Sequence, residues 1–157
     1  MLTKPATAMP RPLFLYGTLR ALPLLAWALT GDPMKVDQVL SLTEPATLTG
    51  FARFSIHGKD YPALILHDPS SAVDGLILRS RTQSQRRRLD DFEGETYSVT
   101  PVTVIVKKNG IEEQVDADVY LWNGKDELAH LPWDLEEFKR DRLDDWLDIF
   151  SGMELVG

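Results

Sequence analysis

No stretch of this chain restricts its fold more than residues 97–122. Apolar residues alternate around Val99, Val102, Val104 and Val106, which predicts a long half-buried strand from Tyr97 to Val106. Lys108-Asn-Gly110 follows, and Asn-Gly is well suited to the left-handed positions of a tight hairpin turn. Val115 to Trp122 then returns as the partner strand. A lone hairpin is marginal in water, so the rest of the chain must supply strands or helices that cover it.

The remaining segments read accordingly. Residues 12–16 are nearly all apolar, as in a central strand covered on both faces. Leu22 to Leu29 predicts a short buried helix, stopped near Gly31-Asp-Pro33. Thr47 to Ile56 predicts a single strand containing Gly50. Tyr61 to Leu66 predicts another, and Pro62 puts its start at an edge or bulge; Tyr61-Pro62 reads as structural. Asp68-Pro-Ser-Ser71 is a turn before a strand from Val73 to Leu78. Thr82 to Phe92 is polar with Leu89 and Phe92 on one side, which suits an amphipathic helix. Asp134 and Glu137 predict a capping box, the aspartate accepting from the third helical residue. The helix they open would carry Leu135, Phe138, Leu143, Trp146, Leu147 and Phe150 on one face and end at Gly152. These elements make one α+β domain with a largely antiparallel, curved sheet.

A length of 157 residues suits one domain, placed here over residues 12–157. Three prolines in the first twelve residues predict an extended, disordered lead-in over residues 1–11, without the apolar core of a signal peptide. A net charge of −7 argues against a general nucleic-acid binder. No apolar run approaches the roughly 20 residues of a membrane span, and a cytoplasmic location is the default expectation. The absence of cysteine excludes disulfides, thiolate nucleophiles and Cys-based zinc sites. His57, His67 and His130 are too scattered to suggest a metal site. Arg86-Arg87-Arg88, beside Asp90 and Asp91, reads as a solvated helix face instead of a phosphate patch. Trp122, Trp133 and Trp146 read as packing for the closing helix instead of a binding box.

Two segments carry chemistry. In Leu13-Phe-Leu-Tyr-Gly-Thr-Leu-Arg20 a buried strand breaks at a glycine. Gly17 permits a positive φ and close approach of a ligand, and the amides of Gly17, Thr18 and Leu19 can form a nest for an anion. In Leu89-Asp-Asp-Phe-Glu-Gly-Glu-Thr-Tyr97 a helix end delivers the carboxylate of Glu93 just before a glycine. Taken alone, Glu93-Gly94 also fits a plain helix end with a glycine cap, and Tyr97 fits either a core position or a pocket wall. The pair together suggests an active site.

Tyr16-Gly-Thr-Leu19, Tyr61-Pro-Ala63, Asp74-Gly75, Leu89-Asp-Asp-Phe-Glu-Gly94 with Tyr97, and Ala117-Asp-Val-Tyr120 occur in this order. In that order they resemble the gamma-glutamylcyclotransferase-like superfamily, in the branch that includes gamma-glutamylamine cyclotransferase. The resemblance covers about residues 12–123, and the Trp133–Phe138 helix is similar to an extension of some members. It implies a small mixed, largely antiparallel barrel of about six strands flanked by helices, with a cavity at one end. The implied reaction releases an amine from a gamma-glutamyl amide or peptide. The substrate's α-amine attacks its own γ-carbonyl to give pyroglutamate (5-oxoproline), with no cofactor or metal.

Such a reaction needs the glutamyl chain folded into a near-attack ring and a base that takes a proton from its ammonium. The resemblance assigns the glutamyl group to Tyr16, Gly17, Thr18, Leu19 and Tyr97, and the base, later acid, to Glu93. The helix end and the preceding Asp90 and Asp91 would raise the Glu93 pKa toward that task. Many members carry an arginine one or two residues after the tyrosine matching Tyr97; here Ser98 and Val99 stand there. The alternatives are a non-catalytic small-molecule binding or interaction domain of the same fold, or related amide chemistry on a specialised metabolite.

Overall fold

The computed structural model describes residues 10–93, 97–122, 128–129 and 131–150. Most of the expected lead-in, Gly94, His130 and Gly152 lie outside the described residues.

The predicted hairpin forms the longest strand pair. Strands β6 (Tyr97–Lys108) and β7 (Ile111–Trp122) pair antiparallel from Tyr97↔Trp122 to Lys108↔Ile111. Asn109 (φ 53) and Gly110 (φ 79) take the two left-handed positions of the turn. Period two then sends Val104 and Val106 inward from β6, and Ala117 and Val119 inward from β7.

Strands β1 (Leu13–Leu15), β2 (Thr43–Thr49) and β5 (Ala72–Leu78) join this hairpin in a closed barrel, ordered β1-β5-β2-β6-β7. Only β1 with β7 is parallel; the other pairs are antiparallel. This is the small mixed, largely antiparallel barrel that the resemblance implies, with five strands in the ring. The other two, β3 (Phe51–Ser55) and β4 (Pro62–Leu66), form a separate two-stranded sheet.

The split corrects the expectation of one strand over residues 47–56. Gly50 has φ 83; its amide donates to Ser71 O, next in register with β5, and its carbonyl accepts from His67 N, next in register with β4. The left-handed residue turns the chain, so β2 stays in the barrel and β3 leaves it.

Both faces of β1 are covered, which explains its unbroken apolar run. Phe14 points into the barrel with Leu48, Ile77 and Val119, whereas Leu13 and Leu15 pack under the helices. Helix α1 (Leu22–Thr30) supplies Leu24, Leu25 and Trp27 to that second core and ends at Gly31, φ 83. A short α2 (Val36–Leu40), not expected from the sequence, packs beside it.

Helix α3 (Gln83–Glu93) lies against α1. Of its three arginines Arg87 is exposed as expected, but Arg86 and Arg88 are not part of a solvated face. Arg86 is 9% exposed, and Arg88 donates to the carbonyls of Ala28 and Trp27. A cation thereby covers the negative C-terminal end of α1. The expected C-terminal helix is two, α4 (Leu135–Asp141) and α5 (Leu143–Phe150), parted at Arg142 (φ −128). Asp134 caps α4 by accepting from the amide of Glu136, the second helical residue and not the third.

Gly75 lies in β5, where a Cβ would collide with the Leu15 carbonyl oxygen and come within 2.8 Å of Phe14 Cζ. Gly75→Ala is therefore expected to destabilise the fold by about 3 kcal/mol, read as a fall in the urea midpoint.

Candidate active site

The chain leaves β1 at Tyr16, and the next residues form a 3-10 turn, Thr18–Arg20. Gly17 has φ −125, so the positive φ expected there is absent. Glycine serves another purpose: a Cβ would lie 3.1 Å from Cδ and Cγ of Pro62. The loop thus packs against the start of β4. Arg53 of β3 fixes it from the other side, donating from Nη1 to the carbonyls of Tyr16 and Asp74, 2.9 Å each. Its Nη2 bonds the Asp74 carboxylate, which Arg20 also reaches. The two-stranded sheet is the brace of the loop. At the start of a helical turn the first amides have no partner within the turn itself, which applies here to Thr18 and Leu19.

Glu93 is the last residue of α3 and Tyr97 the first of β6. Both line a cavity with Tyr16, Gly17, Thr18, Leu19, Tyr61, Pro62 and Tyr120. All six residues named from the sequence therefore meet at one place. Tyr16 does so with its ring only, because its hydroxyl donates to the carbonyl of Tyr120. Tyr97 donates to the carbonyl of Pro62 at 2.9 Å, which ties β6 to β4 across the cavity.

A partly buried polar chain runs beside Glu93. Asp118 accepts from Arg11 (3.0 Å) and from Arg86 (2.9 Å), and Arg86 also donates to Asp90 Oδ1 at 3.0 Å. The same oxygen accepts from the Tyr120 hydroxyl at 2.7 Å. Asp90 lies one helical turn before Glu93, so the two carboxyls share a face of α3. Burial, and then the charge of Asp90, push the Glu93 pKa up from 4.5 to about 8. Burial also raises Tyr97 and Tyr120, which stay protonated donors at neutral pH.

Several residues here were not assigned to the site from the sequence. Tyr61 and Pro62, read as structural, line the cavity. Asp90 and Tyr120 stand beside Glu93, and their signal lay in the Leu89–Gly94 and Ala117–Tyr120 motifs. Trp146 packs as read, 5.1 Å from Phe138 between ring centroids, and also lines an adjoining cavity with Phe92 and Phe150. Trp133 does pack, against Phe138 at 5.9 Å between ring centroids. His67 bonds Ser71 at 2.7 Å. No helix among the described residues is long and apolar enough to cross a membrane.

The barrel with its flanking helices is a fold already seen in solved structures. A structure described as gamma-glutamyl cyclotransferase superposes with a TM-score of 0.57 at 15% identity, over 92% of this chain and 88% of that one. A solution structure of an Arabidopsis thaliana protein gives 0.61 at 25% identity, over 92% and 83%. The chain belongs to the family described as "Gamma-glutamyl cyclotransferase, AIG2-like", which matches residues 13–145. It is 33% identical to AIG2-like protein D of Arabidopsis thaliana over 135 residues, 85% of this chain and 82% of that protein. With AIG2-like protein C of the same plant it shares 31% over 136 residues, covering 86% and 73%.

The raised Glu93 pKa has a consequence for stability. Folded Glu93 binds its proton more tightly than the unfolded residue, so its contribution is complete below about pH 4.5 and is lost as pH rises through about 8. The unfolding free energy of the wild type, from urea titrations, should fall across that window by up to about 5 kcal/mol. In Glu93→Gln that part of the slope should vanish.

Proposed function

We propose that this chain is a gamma-glutamyl cyclotransferase-like enzyme that frees an amine from a gamma-glutamyl amide or peptide and forms pyroglutamate. Glu93 is the base and then the acid; Tyr16, Gly17, Thr18, Leu19 and Tyr97 hold the glutamyl group. One observation carries this reading: the carboxyl raised to about 8 lines the same cavity as the loop.

The match of proton affinities supports it. A substrate α-ammonium titrates at roughly 8 to 9, so an ordinary carboxylate would be too weak to take its proton. A carboxyl near 8 exchanges that proton at little cost. The freed nitrogen attacks the γ-carbonyl carbon, and a ring C–N bond forms. As the tetrahedral centre collapses, the original amide C–N bond breaks. Glu93 carries two protons in turn from the α-nitrogen to the leaving nitrogen, so ammonium and amide become lactam and a new ammonium. The loop amides face the glutamyl carboxylate as donors, and the close walls hold the chain in its ring conformation.

The full chain is to be offered gamma-glutamyl amines, dipeptides and glutathione while pyroglutamate is followed. Turnover of at least one is expected, with Glu93→Gln slower by about a hundredfold or more. No pyroglutamate from any of them, or full activity in Glu93→Gln, overturns the mechanism; ligand-dependent thermal stabilisation without turnover would leave a binding domain. Because the base must be ionised, kcat should rise with pH to a plateau above about 8. Asp90→Asn removes a neighbouring negative charge, so its rising limb should move to lower pH.

A further inference from the structure

A second, outer cavity adjoins the first and differs from it in chemistry. Thr18, Tyr61, Glu93 and Tyr97 line both, so the two meet at Glu93. Beyond them the outer wall is Phe92, Trp146 and Phe150. Ring centroids lie 6.3 Å apart for Tyr61 and Trp146, 5.6 Å for Phe92 and Phe150, and 5.6 Å for Trp146 and Phe150. Two polar ends in this wall are already engaged. The Trp146 indole donates to Asp60 Oδ2 at 2.8 Å, and the Tyr97 hydroxyl donates to Pro62. Among the described lining residues there is no lysine, arginine or histidine, and Glu93 is the one carboxyl.

We infer that the outer cavity receives the amine half of the substrate and selects gamma-glutamyl amides of uncharged apolar amines, arylalkyl amines above all. The placement of the glutamyl half rests on the cyclotransferase reading. A leaving group with its own carboxylate, as in a gamma-glutamyl amino acid, would lose water among aromatic rings with no described cation to pair it. It would also lie beside Glu93, which ionises during turnover. An arylalkyl group instead buries apolar surface and meets ring faces and edges. Ser98 and Val99 offer no cation after Tyr97 either. Helix α5 supplies Trp146 and Phe150, so residues 143–150 set the choice of amine while the loop and Glu93 set the reaction.

Four compounds test this: gamma-glutamyl benzylamide, gamma-glutamyl methylamide, the mono-gamma-glutamyl amide of 1,4-diaminobutane, and gamma-glutamylglycine. Pyroglutamate release is measured on the wild-type chain, and Kd by calorimetry on Glu93→Gln, which separates binding from turnover. The benzylamide should exceed gamma-glutamylglycine at least about tenfold in both kcat/KM and affinity. Trp146→Ala should raise KM for the benzylamide more than for the methylamide. Phe150→Lys, which keeps a long side chain at the helix end, should shift preference toward gamma-glutamylglycine. Equal affinities, or tighter binding of gamma-glutamylglycine or the diamine amide, overturn the inference. Binding in the expected order without pyroglutamate from any compound sinks the reaction and leaves the aromatic subsite standing. Pyroglutamate from all four with no order does the reverse, and no binding at all overturns both.

Discussion

Three residues hold the ring closed. Leu13–Leu15 pairs antiparallel with β5 and parallel with β7, and no other strand joins those two. The same residues divide the interior, since Phe14 fills the barrel while Leu13 and Leu15 anchor α1 and α3 above it. Such a short strand survives only because it is covered on every side. Where it ends, Tyr16 and Gly17 emerge at the barrel mouth, so the strand that closes the fold also fixes the loop of the candidate site.

A second constraint is electrostatic. Asp90 and Asp118 are both bonded to Arg86, which is almost fully buried between α3 and β7. Removing one member of such a network leaves a charge uncompensated, so its members must be kept or replaced together. The arrangement places the Asp90 carboxylate near Glu93 and gives the Tyr120 hydroxyl an acceptor. Stability and the proposed catalysis thus meet in one helix turn. Burial above all raises the proton affinity of Glu93, and Arg86 fixes the second carboxylate beside it.

Much of the scaffold was legible because it depends on local rules. The Asn109-Gly110 turn and the alternation on either side define the hairpin, and Gly31 marks the end of α1. Gly50 shows the limit. Its left-handed backbone is compatible with a bulge inside one strand and with a turn between two sheets, and only the partners of β2 and β3 distinguish them. Gly17 was the right residue for a different reason. The ring of Pro62, 45 positions away by residue number, would crowd a Cβ there at 3.1 Å. Arg86 and Arg88 look alike in a run of three arginines, yet each has a distinct buried task set by what packs over α3.

The sequence by itself determined the strand and helix periods, the breaks at glycine, the acidic charge and the exclusion of cysteine chemistry, because these follow from residue type and near neighbours. It also named Glu93 and the Tyr16–Leu19 loop as the two halves of a site. Their meeting, the burial that contributes most to raising Glu93, and the aromatic wall contributed by α5 were decided only by the tertiary structure. Each depends on groups far apart in the chain being brought into one desolvated space, where charge and shape act over a few ångströms and sequence separation has no bearing.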